Sequence, residues 1–377
     1  MNRRHLLAAA LPVGVAGCTL PPAVSSPSAE ELLESAIEAR LEMEDLAAVR
    51  ETVVETPEGT VERTERIRAR PPDERRLEVI DSDDPSTPMG TVSVRSREVS
   101  WEFDPAAGEV LKRHHPNRIV DDRTRLLLGS LLEDAELAYE GTETVAGRES
   151  HVVDATPPEG VEPAIAVLVG DTEYAIPVAG MEGDPEELEV RRRLWLDDEH
   201  GIPTRERATV VDDGDPLHAV TFSYEELAVD EGLEPGTFEY EPPDGVEVTT
   251  AGTEPEGVFE SRTAAAETTP YPIPEPALPE PYELDRITVK EREWGVNTTL
   301  WYADPDRRDR ELFVVIKEEK RFDPDALEPV DVDGREGHRR DGRILSVFFT
   351  CEGLSYEVSD PDADEPVVDV AASIDCG

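Results

Sequence analysis

From about residue 46 to residue 246 the chain alternates apolar and polar residues with period two, and turn residues break the alternation at short intervals. This pattern constrains the fold more than any other feature. Side chains on a strand point alternately to two faces, so sustained alternation means sheets with one buried face. VRETVVETPEGTVERTERIRARPPDERRLEVI reads as two strands about Pro57-Glu58-Gly59 and a third after Pro71-Pro72. GTVSVRSREVSWEFD, EVLKRHH, ELAYEGTETVAG and ESHVVDATP continue the series. RRRLWLDDEHGIPTRERATVVDDGDPLHAVTFSYEELAV follows, with turns at Gly201-Ile202-Pro203 and Asp213-Gly214, and TFEYEPPDGVEV closes the block. Strands joined by tight turns predict antiparallel meanders rather than parallel βαβ units. Residues 157–190, rich in Pro, Gly and Glu, read as an insertion with one apolar stretch at 164–169.

A half-buried sheet needs a cover. Ser28 and Glu31 form a capping box ahead of a helical stripe of Leu32, Leu33, Ala36, Ile37 and Leu41, which predicts a helix over 28–41. Asp121 can cap a second helix over 121–133, whose leucines from Leu126 to Leu132 are expected to point inward. Leu127 and Leu131 are therefore candidate cavity-lining residues. Alternation places Val99, Trp101 and Phe103 on one face with Ser100 and Glu102 opposite, which adds Trp101 and Phe103 to the candidates.

Beyond residue 250 the texture changes. TTAGTEPEG is linker-like, residues 264–267 suit a short helix, and PYPIPEPALPEPYEL is proline-rich. That segment is either a polyproline spacer or, through Tyr271, Ile273, Leu278, Tyr282 and Leu284, part of a packed domain. DRITVKER, TTLWYAD, ELFVVIKEE and RILSVFFTCEGLSYEVS read as strands, the last a hairpin about Glu352-Gly353, and 367–374 as a terminal helix. The expected organisation is a signal peptide at 1–17, a tether at 18–27, a large domain at 28–250 and a smaller α+β domain at 251–377.

The N-terminus sets the compartment. Arg3-Arg4 precede Leu6-Leu7 and an apolar run over 6–16 too short to span a bilayer, and Val15-Ala16-Gly17 lead into Cys18. This is the layout of a twin-arginine export signal ending at a lipid-attachment cysteine. The mature chain is expected to start at a lipidated Cys18, on the outer face of the cell membrane. Cys351 and Cys376 then remain as a pair suited to a disulfide in an oxidising compartment.

The formal net charge is −50, from 87 acidic and 37 basic residues, and only four of the basic residues are lysine. Such a surface repels nucleic acid and anionic lipid. It suits molar salt, where the Debye length falls to about 3 Å, and points to an extreme halophile. Recurrent apolar alternation separates the chain from disordered acidic sequences. No HExxH, CxxC, P-loop, GxGxxG or Gly-x-Ser-x-Gly motif occurs. His114 and His115 are adjacent on a strand and face apart. Asp360-x-Asp362-x-Asp364-Glu365 lacks the glycine and distal glutamate of a calcium loop. The reading is a non-enzyme with no metal and no cofactor. Asn297-Thr298-Thr299 is a glycosylation sequon.

Three stretches in order carry a family resemblance: Arg70-Pro71 at a strand start, SREVSWEFDP at 96–105, and FEYEPPDGV at 238–246. Over residues 28–250 the chain resembles the LolA/LolB lipoprotein-carrier family. The resemblance implies an α+β fold: an incomplete antiparallel β-barrel whose helices close an apolar cavity for acyl chains. It also implies that Arg70 is a gate residue, hydrogen-bonded to the helical lid near the cavity mouth. The chain departs from the family in its 157–190 insertion, its anchor and its C-terminal domain. That domain is similar to a small domain of unknown function in extracytoplasmic and anti-sigma-associated proteins, on Leu278–Tyr282, the 342–356 hairpin and the closing Ala-Ala-Ser-Ile helix. Two functions follow as expectations. One is an anchored binder of an acyl chain or other apolar ligand. The other is a regulator of the RseB type, which resembles LolA in fold and signals to a membrane partner.

Overall fold

The computed structural model describes residues 27–115, 117–120, 122–156, 166–169, 172–175, 188–212, 214–252, 254, 257–293, 295–320, 322–342, 344–361 and 367–375. Cys18 and Cys376 lie outside the described residues.

Helix α1 (Ala29–Glu42) starts with the expected capping box: the Glu31 N–H donates to Ser28 Oγ and the Ser28 N–H to Glu31 Oε2. Two donors that a helix start leaves unpaired are thereby satisfied. Strands β1 (Leu46–Thr56), β2 (Gly59–Arg70), β3 (Glu74–Ser82), β4 (Val92–Arg95), β5 (Val99–Asp104) and β6 (Glu109–His114) form one meander. After helix α2 (Arg123–Asp134) come β7 (Glu136–Val145) and β8 (Arg148–Thr156). Strands β9 (Ala166–Val169) and β10 (Thr172–Ala175) pair as a separate hairpin inside the insertion. The second meander is completed by β11 (Glu189–Asp197), β12 (Pro203–Asp212) and β13 (Asp215–Val229), and β14 (Glu247–Ala251) follows.

These elements, without the β9–β10 hairpin, make one twelve-stranded sheet in the order β14-β6-β5-β4-β3-β2-β1-β13-β12-β11-β8-β7. The two meanders join at β1 and β13, where Leu46 lies opposite Val229. Strands β14 and β7 are its edges, so the barrel stays open. One expectation is corrected here: β14 runs parallel to β6, because the chain returns through the long 230–246 segment rather than a hairpin turn.

Both helices cover one face. Leu33 and Ala36 of α1 and Leu128 of α2 close against Val153, Leu194 and Leu196. Met43, which caps the end of α1, packs on Leu46, Ala48 and Ile67. Gly201, at φ +68 in the β11–β12 turn, lies under α1, where a Cβ would stand 3.3 Å from the Ala39 Cβ. The helix-bearing face also carries buried charge. Arg50 and Glu65, each 1% exposed, pair at 2.7 Å, Arg63 adds a second bond to Glu65, and Arg192 pairs with Glu206 at 2.7 Å.

The second sheet is built from β15 (Gly257–Phe259), β16 (Glu283–Arg292), β17 (Gly295–Asp304), β18 (Arg307–Lys317), β19 (Glu328–Val332), β20 (Arg335–Arg340), β21 (Leu345–Cys351) and β22 (Leu354–Asp360). Its order is β15-β16-β17-β18-β22-β21-β20-β19. Helices α3 (Arg262–Ala266) and α4 (Val367–Ser373) and the proline-rich segment cover one face. Tyr271, Ile273, Leu278, Tyr282 and Leu284 all join that core, so the segment packs rather than acting as a spacer. Arg335 donates to the carbonyls of Ala372 and Ile374 at the end of α4. Cys351 is disulfide-bonded.

Candidate functional site

The helices leave part of the larger sheet uncovered. Glu65, Leu77, Ser93, Glu102, Leu111 and Thr249 lie on the helix-bearing face across β2 to β14. They line a groove of about 530 Å³, bordered by residues 86–88 and 91 and by the end of the β5–β6 hairpin. This volume is within the range of small-molecule sites, about 300–1,000 Å³. On its floor the groove mixes apolar Leu77 and Leu111 with a charged end at Arg63 and Glu65. Burial alone would raise the Glu65 carboxyl, but the charges of Arg50 and Arg63 hold it below its ordinary value.

The sequence candidates separate here. Phe103 contributes to the groove's lining, although its cross-strand neighbours Val92 and Val110 place it on the face opposite the helices, with Trp101. Trp101 does not: its cross-strand neighbours Val94 and Lys112 place it on the opposite face, where it packs on Tyr240 at 5.7 Å and under the Lys112 ammonium at 5.0 Å. Alternation groups residues on a face correctly but does not say which face the helices choose. Leu131 packs in the closed cluster between helices and sheet and Leu127 is buried, whereas Leu126 is 39% exposed, against the expectation for that stretch. Beneath the helices Leu33, Ala36 and Leu128 pack on Val153, Leu194 and Leu196, and the groove lies to one side of that cluster.

Arg70 also departs from its expected role. Its guanidinium donates to Glu74 at 2.7 Å and sits 5.3 Å from the Phe238 ring. No bond to a helix carbonyl is made among the described residues. The reason is again alternation: Ala69 faces the helices, opposite Leu46, so Arg70 faces away. It borders a polar cleft of about 1,030 Å³ between the end of α1, residues 70–72 and residues 305–307.

The helical lid is clasped by a different arginine. Arg40, in the last turn of α1, donates to Asp122 at 2.7 Å, and Asp122 is the residue that caps α2, accepting from the Arg125 N–H. The expected cap, Asp121, lies outside the described residues. Directly upstream, the chain is fastened to the smaller sheet. Asn117 donates to Thr299 at 3.2 Å and accepts from Thr288 at 2.6 Å. Ile119 packs on Trp301, Phe313 and Val315. The Val120 N–H donates at 3.1 Å to Glu311, which is 0% exposed and also pairs with Arg97. Arg97 and Arg286 flank the Trp301 ring, at 5.7 and 4.8 Å. Burial and the neighbouring charge of Arg286 bring Arg97 down to about 10. Sequence reasoning found none of these residues, since HHPNRIVDD carries no motif and the contacts join distant segments.

Asn297 sits in β17 between Lys290 and Lys317, with its Oδ1 buried. No group of three or more His, Cys, Asp or Glu residues that could hold a metal occurs among the described residues. No described helix is long and apolar enough to cross a membrane.

No family model and no curated protein matches the chain. Among solved structures, the Pseudomonas aeruginosa MucA/MucB complex aligns at 16% identity and TM-score 0.35, over 92% of this chain and 98% of that one. A LolA superfamily protein from Nitrosomonas europaea aligns at 10% identity and TM-score 0.27, over 57% and 99%. The Mycobacterium tuberculosis lipoprotein LppX aligns at 9% and 0.29, over 54% and 96%. Likenesses of this strength assign neither family nor function.

Proposed function

We propose that this chain is a lipid-anchored, extracytoplasmic, non-catalytic binding protein of the regulatory kind. In this reading the groove beside the helices takes an apolar ligand, and the smaller sheet, with the rest of residues 251–377, addresses a membrane or signalling partner. The observation that carries it is the fastening of residues 117–120 and Asp122. Within six positions the chain holds the smaller sheet through Asn117, Ile119 and Val120, then both lid helices through Asp122. A displacement of α2 is thereby felt at the smaller sheet, as a sensor needs and a simple carrier does not. The carrier reading keeps one observation in its favour, the apolar side chains of Leu77 and Leu111 on the groove floor. Burial of an acyl chain there would contribute about 0.8 kcal/mol per methylene.

The test has two arms. Lipid extracted from the purified protein is identified by mass spectrometry, and membrane proteins are cross-linked to it in cells. A stoichiometric apolar ligand, lost in Leu111→Glu, together with a specific cross-linked membrane protein supports the regulatory reading. Ligand transfer between vesicles without any partner favours the carrier. Neither ligand nor partner sinks both. Cys18→Ser is expected to release the protein from membranes, and retention would place the anchor elsewhere.

A further inference from the structure

The face of the larger sheet opposite the helices gathers arginine on β11 and β12. Arg191, Arg193, Arg205 and Arg207 share it, because Arg192 turns to the other face and pairs with Glu206. Arg193 stands directly opposite Arg207, an unfavourable position for like charges. Their carboxylate partners come from the flanks. Asp154 on β8 takes two N–H groups of Arg193, each at 2.6 Å. Glu55 on β1 pairs with Arg207 from the other side, where Arg207 also donates to Thr221 at 3.0 Å. Arg191 pairs with Glu189 on its own strand. Arg205 covers the Trp195 ring at 5.4 Å and donates to Ser223, with no carboxylate partner among the described residues. The strip between β11 and β12 is thus bordered by facing guanidiniums, and no carboxylate of the described residues bonds to both.

A crevice of about 390 Å³ lies along this strip, within the range of small-molecule sites. Arg191, Arg193 and Arg207 line it, and Trp195, Val211 and Pro216 give it apolar walls. The three arginine side chains are 50%, 44% and 38% exposed. Ion pairs this exposed contribute little to stability, and a guanidinium has more N–H donors than one carboxylate uses. The existing pairs therefore hold the arginines in place and leave donors for a further acceptor. With Glu143 on the Trp195 N–H, four carboxylates balance the four arginines. The patch is close to neutral in a chain of net charge −50, so an anion meets less repulsion here than over the acidic surface.

We propose that this crevice binds an organic carboxylate with an apolar body. The carboxylate lies between Arg193 and Arg207 and accepts from both, which offsets their mutual repulsion. Carboxylate is the anion these side chains already take, as the two-pronged contact of Asp154 on Arg193 shows. The body lies along the apolar walls, and the crevice is larger than a bare inorganic anion would fill. The site is on the other face of the sheet from the groove and does not rest on the function proposed above.

4-Butylbenzoate and 4-butylbenzamide, alike in shape and different in charge, are the probes, titrated calorimetrically into the full chain at one salt concentration. Saturable binding of the benzoate about tenfold tighter than the benzamide is expected. Acetate, which has no body, should bind at least about tenfold more weakly than the benzoate. Arg193→Gln and Arg207→Gln should each bring the benzoate down to the benzamide, and melting curves establish that both variants are folded. Arg66→Gln removes an arginine on the same face outside the crevice, paired with Glu78, and should leave benzoate binding unchanged. Equal binding of benzoate and benzamide overturns the proposal, as does absence of saturable benzoate binding. Acetate binding as tightly as the benzoate, or an equal loss in Arg66→Gln, also overturns it, since either would mean attraction to charge alone.

Discussion

The two sheets solve burial differently. On its helix-covered face the smaller one closes a single apolar cluster that runs from Tyr271 through Leu300, Val314 and Phe349 to Ile374. On the larger one the helix-bearing face is divided into separate patches, and the Arg50–Glu65 and Arg192–Glu206 pairs lie on the same face. Buried ion pairs add little net stability compared with apolar packing of the same volume, although breaking one is costly. A sheet built this way gives up stability and keeps a polar floor beside an open groove. In the function proposed above, the smaller sheet is the rigid base and the larger one the part that changes.

Truncation of the rigid base should have the largest effect. Phe349→Ala, at a fully buried ring stacked on Tyr356 at 5.0 Å, is expected to cost about 3–5 kcal/mol in urea unfolding. A loss below about 1 kcal/mol would end the picture of a tight core there.

In the larger sheet, Arg50→Met leaves Glu65 buried with Arg63 and Thr52 as its remaining partners. It should cost up to about 3–5 kcal/mol, and adding Glu65→Leu should recover most of that loss. If the double variant is as unstable as the single one, the pair is not what divides this face.

Titration sharpens the contrast. Glu65, Glu78, Asp84 and Asp197 all belong to the larger sheet or its loops. Burial alone would raise them, yet arginine charges and hydrogen bonds hold all four below their ordinary values of 4.5 or 3.8. Their stabilisation is present above pH 4.5 and is lost as pH falls through the lowered folded values. The smaller sheet holds Tyr271, raised by burial to about 12, with Tyr302 and Tyr356 also raised by burial. Their stabilisation is complete below pH 10 and is lost as pH rises beyond it. Hydrogen exchange should therefore show the larger sheet opening first in acid and the smaller sheet first in alkali. The same order at both extremes would break the comparison.

Smaller effects belong to the lid. Asp122→Ala removes the α2 cap and the Arg40 clasp, and should cost about 1 kcal/mol with faster amide exchange in α2. Arg70→Leu should change stability least, by about 0–1 kcal/mol, because its pair with Glu74 is part-exposed. Altered α2 exchange in Arg70→Leu would restore the gate role that the geometry does not support.

Much of the fold was legible because it rests on local signals. The Ser28–Glu31 box, the period-two meanders and the Glu352-Gly353 hairpin each depend on neighbours in sequence. The hairpin of β19 and β20 escaped notice because EPVDV and REGHRR are short and largely polar. The parallel pairing of β14 with β6 has no local signature at all. At the site, alternation grouped Trp101 with its neighbours, but choosing the face required knowing where α1 packs. Arg40, Asn117 and Glu311 matter through partners on other segments, and a single sequence offers no spacing from which to read such contacts.

The seam at Leu46 and Val229 has a consequence for how the protein is made. Strand β1 emerges early from the ribosome, yet one of its two pairing edges has no partner until β13 is synthesised. Through that interval a long strand with alternating apolar residues offers its unpaired amides and carbonyls to any other chain, which is a known route to aggregation. Pairing over such sequence distances is also slow. For a chain expected to fold before export, time spent in the cytoplasm with an open seam, more than the stability of the finished sheet, would set the yield of protein that reaches the membrane.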